Sequence, residues 1–461
     1  MKLNTQYSIL NTNRGQSLVE MIISISLGVV FLGIAAGSVT LILRNNLEAR
    51  TSQIAASLAQ EYLDGVSAMS ESNWLAVYNP PAAKGANSRF YLDILKYAYV
   101  ADGDAGLQII NVSDPNYPTP AKENFNTLGT AMDVYVSGDY AYIANGYAGL
   151  QIVNISDPNN PTLAGAYNTS GYAWGVYVSG NYAYVADYNS GLQIINVSNP
   201  NYPTPVKEDF DTLGAAYEVY VSGDYAYVAN GGSGLRIVNV SNPASPTLAG
   251  ACCVADTARG IYVSGNYAYV AVTSSGLQII NVSDPNNPYL IKTYNTGDNA
   301  LDVYVSGNYA YVANGALGLK IVNISDPNNP TSAGDSNTLG SAYGIYVSDS
   351  YAYVADYDYG LQIINVSDPN NPIPAGTYNT SDYAWGVYVP DANDYSIISG
   401  TATSTVEGRV FTRYFSIENV NRENCGIGNA TESSASGNCA INFPGGLTDI
   451  SEDPSTQKIT A

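Results

Sequence analysis

The sequence predicts a mainly β chain with a long N-terminal α-helix, in which a seven-bladed β-propeller is inserted into a small α+β head. Three observations predict it. Met21 to Leu43 runs without a charged residue. A Gly-Leu pair opening a motif of the form GLQIINVSDPNNP recurs seven times, at Gly106, Gly149, Gly191, Gly234, Gly276, Gly318 and Gly360. Short strand-like segments lie on both sides of that array.

Twenty-three uncharged, mostly apolar residues rise about 1.5 Å each in a helix, roughly 35 Å, enough to cross a bilayer core. The run is longer than the apolar region of a signal peptide. A polar leader ends at Gly15, before the run, and a single acid, Glu20, precedes Met21. A carboxylate at that depth is costly in lipid and calls for a partner. From Arg44 to about Met69, Leu47, Ile54, Leu58 and Leu63 are spaced as on one face of a helix. Trp74 to Asn87 contains Pro80-Pro81 and Gly85 and reads as a loop, and Ser88 to Leu95 alternates like a strand.

The array begins at Tyr97, and its copies are 42 or 43 residues apart, a period of solenoids and propellers. Strand content decides for the propeller. One unit reads as Gly175 to Val178, Tyr182 to Ala186, Leu192 to Val197 and Pro205 to Phe210, the first two joined by the tight turn Ser179-Gly180-Asn181. The first copy lacks an inner run, and Trp385-Gly386-Val387-Tyr388-Val389 is a surplus one after the last copy. Pairing the two closes the ring and removes two exposed sheet edges. Beyond it, Tyr395 to Gly400 can pair with Ser88 to Leu95. Gly408 to Val420 supplies one or two further strands, and the chain ends in a strand-like segment.

Composition excludes several functions. The net charge is -22, and the array holds 24 acidic against 6 basic residues, which argues against nucleic acid as a partner. There is no histidine, so imidazole bases, Ser-His-Asp triads and His-ligated metals are absent. No catalytic residue, cofactor or metal is assigned, and the chain is expected not to be an enzyme. Asp102-Gly103-Asp104 and Asp356-Tyr357-Asp358 have the look of calcium loops, but other copies carry Asn230-Gly231-Gly232 or Val272-Thr273-Ser274 there, which makes them hairpin turns. The seven Asn-Val/Ile-Ser triplets precede Asp-Pro or Asn-Pro and read as turns rather than glycosylation sites. Cys425 and Cys439 close a 15-residue loop and are read as a disulfide of about 3 kcal/mol. Adjacent Cys252-Cys253 read as small buried residues, with a strained vicinal bridge as the alternative.

The most varied positions of the array lie just before or at the start of each inner strand: Asp133, Trp174, Tyr217, Glu218, Arg259, Asp302, Tyr343 and Trp385. In a propeller they converge on one mouth of the channel. Flat rings with a few acids and one Arg suit a glycan or peptide; simple filling of the mouth is the competing explanation. An enzyme in this channel would have to draw on Asp133, Glu218 and Asp302.

Two resemblances add to this reading. Arg14-Gly15-Gln16-Ser17-Leu18-Val19-Glu20 with the apolar run resembles the type IV prepilins, including the pseudopilins of type II secretion. The resemblance implies cleavage after Gly15 by prepilin peptidase and Glu20 at mature position five, pairing with a neighbouring subunit during filament assembly. Gln16 departs from the family's usual Phe, which puts its methylation in question. It also implies an antiparallel pilin-like head, with a bridged loop near its end. The period and motif from Tyr97 to Val389 resemble the LVIVD-repeat propellers, which implies a fold and little about activity.

The organisation is then a leader (1–15), a transmembrane and assembly helix (16–70), a first head part (71–96), the propeller (97–390) and a second head part (391–461). The expected function is a minor, tip-located subunit of a type IV pilus or secretion pseudopilus that presents the propeller for adhesion. Its partners are other pilin subunits, prepilin peptidase and an unknown surface, glycan or protein. It is expected in the cytoplasmic membrane as a precursor and then in a cell-surface filament. An anchored scaffold that never polymerises is the alternative.

Overall fold

A computed structural model of the chain describes residues 90–252, 256–390, 394–399, 402–406, 409–414 and 456–460. It divides into two compact units, Ile94–Asp394 and a second built from Met1–Asp93 with Tyr395–Ala461.

The first unit is a ring of seven four-stranded antiparallel sheets. Blade 3 shows the plan. Its inner strand Gly175–Ser179 pairs with Tyr182–Ala186, which pairs with Leu192–Asn196, which pairs with the outer strand Thr204–Phe210. The second and third strands are covered on both faces, so their residues are almost all buried and show no polar alternation. The period of two still sorts them. Ala183 and Val185 pack toward blade 2, whereas Tyr184 and Ala186 pack toward blade 4. The core is therefore seven layers, one between each pair of neighbouring blades, each a mixture of Ala, Val, Ile and Leu with one buried Tyr, or two (Tyr97 and Tyr99) between blades 1 and 2. The outer strands are largely exposed, as the Lys and Glu of Thr204–Phe210 require.

Small polar devices repeat with the blades. Each Asn of the Asn-X-Ser triplets accepts the N–H of the Ser two residues on, as Asn111 does from Ser113 at 3.0 Å. All seven copies do this, which is the Asx-turn expected of them. A second device latches neighbouring blades. The Thr169 hydroxyl donates to Asp187 at 2.7 Å, and Thr127, Thr212 and Thr338 donate in the same way to Asn145, Asn230 and Asp356. Asp102 and Asp356, the apparent calcium ligands, are buried members of this latch set. Among the described residues no group of three or more acidic or Cys side chains is placed to hold a metal ion.

Blade 1 is assembled from both ends of the array. Gly386–Tyr388 is its inner strand, with Tyr388 opposite Tyr99 and Val387 opposite Val100. The seam is reinforced three times. Asp102 Oδ2 accepts the N–H groups of Ser381 and Asp382 at 3.0 and 3.1 Å. Buried Lys96 donates to Ser348 at 2.6 Å and to Asp349 at 2.5 Å. The Tyr378 hydroxyl donates to Glu123 at 2.9 Å.

In the second unit, Phe90–Leu95 and Asp394–Ser399 form a two-stranded sheet. Ala402–Val406 pairs antiparallel with Arg409–Tyr414, which pairs parallel with Thr456–Thr460.

These strands correct the expected fold class. Every described element is a strand except the single 3-10 turn Thr273–Ser275. No α-helix occurs among the described residues, and none there is long and apolar enough to cross a membrane. The α+β pilin-like head is likewise not what is found: its described pieces are strands alone, and its small sheet is mixed rather than antiparallel. The physical reason is local. The described residues alternate with a period of two between Gly, Asn and Pro turns, and this pattern pairs strand with strand and leaves no stripe of 3.6 period. The helix was assigned to 16–70, which lies outside the described residues, as do Gly15, Gln16, Glu20, Cys425 and Cys439.

Candidate functional site

The inner strands place three layers of side chains around the ring axis. Along Asp133–Ser137, Val134 and Val136 are buried in the core while Asp133 and Tyr135 face the channel. Each blade therefore gives the channel a Gly or an acid, a Tyr two residues on, and at the mouth the residue just before the Gly or acid.

The deepest layer is a closed belt of seven tyrosines: Tyr135, Tyr177, Tyr220, Tyr262, Tyr304, Tyr346 and Tyr388. Neighbouring ring centroids are 4.6 to 4.9 Å apart around the whole circle. Their hydroxyls hydrogen-bond from neighbour to neighbour. Burial, and then repulsion by neighbouring phenols, pushes Tyr135, Tyr220 and Tyr346 far above the usual phenol range. These three phenols stay neutral at any physiological pH.

Above it lies a layer of alternating glycines and acids. From blade 1 to blade 7 it reads Gly386, Asp133, Gly175, Glu218, Gly260, Asp302, Gly344. The alternation is steric. A Cβ on Gly175 would meet Glu218 Oε1 at 3.1 Å and its Cα at 3.0 Å, and one on Gly260 would meet Asp302 Oδ1 at 2.7 Å. Each acid thus fills the space that a glycine in the preceding blade leaves open. Asp133 and Asp302 then accept an N–H from the following blade, from Val176 and Ile345, both at 2.9 Å.

The three acids touch the lumen but are enclosed by protein on every other side, so burial dominates their titration. It pushes Asp133 up to about 7, with the Val176 N–H opposing and Asp302 adding repulsion. Asp302 is pushed up to about 6 by burial, opposed by the Ile345 and Val303 N–H groups. Glu218 is raised well above the usual carboxylate range by burial and then by repulsion from Asp133 and Asp302.

A cavity of about 220 Å³ separates acids from tyrosines, and one of about 80 Å³ separates acids from the mouth. A water takes about 30 Å³ of liquid, so the upper chamber holds two or three. Small-molecule sites run from roughly 300 Å³ upward. Each of the two cavities is smaller than that.

The mouth layer is Trp385, Met132, Trp174, Tyr217, Arg259, Leu301 and Tyr343. All eight residues singled out in the sequence meet here: five in this layer, and Asp133, Glu218 and Asp302 directly beneath. The rings touch one another across the axis. Trp174 lies 5.8 Å from Trp385 and 5.4 Å from Tyr217, both edge-on, and Tyr343 lies 4.8 Å from Trp385. The Arg259 guanidinium lies over Tyr217 at 4.3 Å and over Trp174 at 5.4 Å.

The aromatic contacts also run outward onto the face of the ring. Tyr147 touches Tyr172, which touches Trp174; on the other side Trp385 touches Tyr357, which stacks on Tyr383 at 4.2 Å with an angle of 6°. The result is one unbroken aromatic track across the mouth, ending in Tyr147 (80% exposed) and Tyr383 (43%). Exposed Leu128 and Leu213 lie on the same face, each with φ near +60°. That conformation is costly for a leucine. Sequence reasoning missed Tyr147, Tyr172, Tyr357 and Tyr383, because they come from loops at different points of the repeat. It also missed the belt and the Gly–acid layer, although the invariant Tyr two residues after each alternating Gly or acid was a readable signal.

Cys252 is buried at the end of blade 4's outer strand, Thr247–Cys252, and Cys253 lies outside the described residues.

A closed seven-bladed ring with an aromatic face at one mouth defines a β-propeller scaffold of the surface-binding kind. The chain belongs to the LVIVD repeat family, whose model matches seven consecutive copies, at 96–127, 128–169, 170–212, 213–254, 255–296, 297–338 and 339–380. No curated protein matches the chain. Among solved structures it is similar to a candidate 6-phosphogluconolactonase from Bacteroides fragilis (15% identity, 65% of this chain and 99% of that one, TM-score 0.55). A second such candidate, from Bacteroides uniformis, gives 14% identity, 64% and 100% coverage and a TM-score of 0.57. A functionally unknown protein from Desulfotomaculum acetoxidans gives 11%, 64%, 99% and 0.54. At these identities the likeness is one of fold alone.

Proposed function

We propose that this chain is a presentation subunit of a type IV pilus or secretion pseudopilus, and that its propeller binds a surface glycan at the aromatic mouth without transforming it. The observation that carries the binding part is the unbroken aromatic track from Tyr147 to Tyr383. Rings with exposed edges and faces stack on sugar rings, and the carboxylates and amides beside them accept hydroxyl protons.

The presentation part rests on Gly15, Gln16, Glu20 and the uncharged run Met21 to Leu43 in the sequence. Prepilin peptidase and other pilin subunits are the partners it implies. The location it implies is the cytoplasmic membrane first and a surface filament afterwards.

Binding is tested with the detergent-solubilised full chain on a glycan array. The expected result is a hit that Trp174→Ala and Trp385→Ala each weaken about tenfold, the loss of about 1.4 kcal/mol of stacking, while the circular dichroism of the ring is unchanged. No bound glycan, or binding indifferent to both changes, overturns the reading. Presentation is tested separately with Gly15→Val, which is expected to leave the precursor uncleaved in the membrane fraction. A Gly15→Val chain that is processed and displayed normally removes the pilus assignment.

A further inference from the structure

We propose that the sugar recognised at this mouth carries a carboxylate, and that Arg259 is the residue that reads it. The inference rests on the glycan reading above and makes it narrower.

Arg259 is the only basic side chain among those lining the mouth chamber. The array offers 24 carboxylates to 6 basic residues, yet among the described residues the ion pairs are Lys96–Asp349 and Lys320–Asp335, and none involves Arg259. Its Nε is enclosed with no hydrogen-bond acceptor. Asp133, Glu218 and Asp302 lie one layer below, and among the described residues none of them forms an ion pair with Arg259. What holds the guanidinium is the faces of Tyr217 and Trp174.

In a chain so rich in acids, an arginine that pairs with aromatic rings alone is left with its strongest valence unspent. The planar guanidinium matches a carboxylate with two parallel hydrogen bonds, at roughly twice the strength of neutral ones. Position reinforces this. In the other six blades the same place is Met132, Trp174, Tyr217, Leu301, Tyr343 or Trp385, so the repeat tolerates an apolar residue there and the ring does not need the charge to close. The rings beside Arg259 hold it partly dry, which strengthens any pair it makes. A sugar ring lying on Trp174 brings a carboxylate substituent within reach of the terminal nitrogens.

The probes are oligomers of glucuronic, galacturonic and mannuronic acid and their methyl esters, which keep the sugar and remove the charge. Titrated against the full chain, at least one acid oligomer is expected to bind ten times or more tighter than its ester. Arg259→Gln is expected to abolish that preference, weakening the acid about tenfold and the ester less than twofold. Trp174→Ala is expected to weaken acid and ester alike. Esters or neutral glycans that bind as well as the acids, or an acid preference that survives Arg259→Gln, overturn the inference while leaving a glycan-binding mouth in place. If no saccharide of any kind binds a ring whose thermal melt is intact, the inference falls together with the reading it narrows.

Discussion

Val387→Asp is expected to abolish the cooperative unfolding of the ring at neutral pH. Val387 is 6% exposed and sits in the layer that joins blade 7 to blade 1, packed with Val100, Ile110, Val112, Leu361 and Ile363. None of these offers a counter-charge, and the desolvation of an unpaired carboxylate there costs several kcal/mol. A domain is stable by about 5 to 15 kcal/mol, so a loss on the order of 4 kcal/mol or more removes much of the margin. The position also matters topologically. Gly386–Tyr388 is the strand that makes the first and last copies one blade, so its loss exposes the edge of Tyr97–Ala101 as well as the core. Val387→Thr, similar in shape and uncharged, is expected to cost about 1 to 2 kcal/mol. Urea unfolding at pH 7 separates them; similar midpoints for Val387→Asp and the parent would show that the seam does not hold the ring.

The second large effect is on pH. Asp133 and Asp302 titrate at about 7 and about 6 in the folded ring, against an ordinary 3.8, and Glu218 moves in the same direction. The folded ring therefore holds more protons than the unfolded chain between pH 4 and 7. Its stability falls as pH rises through that window, by about 1.4 kcal/mol for each pH unit and each group. Exposed Asp157, Asp209 and Asp326 and half-buried Asp256 are shifted the other way by the hydroxyls, amides and N–H groups that bond to them, Asp256 to about 2. They add stability as pH rises from 2 to 4. The maximum is expected near pH 4, with a decline on the order of 7 kcal/mol by pH 8 from Asp133 and Asp302 together. The triple change Asp133→Asn, Glu218→Gln, Asp302→Asn keeps the acceptors for Val176 and Ile345 and removes the charges, so its profile should be flat above pH 5. Urea midpoints at pH 4.5, 6 and 8 measure this, and a parent chain that is more stable at pH 8 than at pH 4.5 contradicts it.

The ring was legible because its information is repeated. Seven Gly-Leu pairs and seven Tyr-Ala-Tyr-Val/Ile-Ala-like strands, with period-two burial on both faces, give the blade, its register and its closure by Gly386–Tyr388. The mouth was legible for a different reason. Asp133, Trp174, Tyr217, Arg259 and their equivalents stand out as the variable places in an otherwise uniform array. The aromatic track was not legible, since Tyr147 and Tyr383 are placed by loop geometry and meet the mouth only through intermediate rings. The upward titration of the acids was equally hidden, because it depends on enclosure and on the neighbouring glycines rather than on sequence neighbours. The α+β head was inferred from a resemblance carried by residues outside it: the expected pairing of the strand before the ring with the strand after it is found in Phe90–Leu95 and Asp394–Ser399, but the described pieces are strands alone and the second sheet is mixed.

The layer of glycines and acids has two kinds of member and seven places. A pattern of two alternating states cannot close on a ring with an odd number of members. Going round from Asp133, the rule of one acid for each preceding glycine holds through Asp302 and then fails, leaving Gly344 and Gly386 side by side. A Cβ on Gly344 would run into the Trp385 carbonyl at 2.6 Å, so the gap is not a vacancy that a fourth acid can fill. The mismatch falls at the seam, where the chain enters and leaves the ring. The repeats are nearly identical, yet the lumen has a charged side and a bare one, so whatever approaches the mouth meets a ring with a built-in orientation.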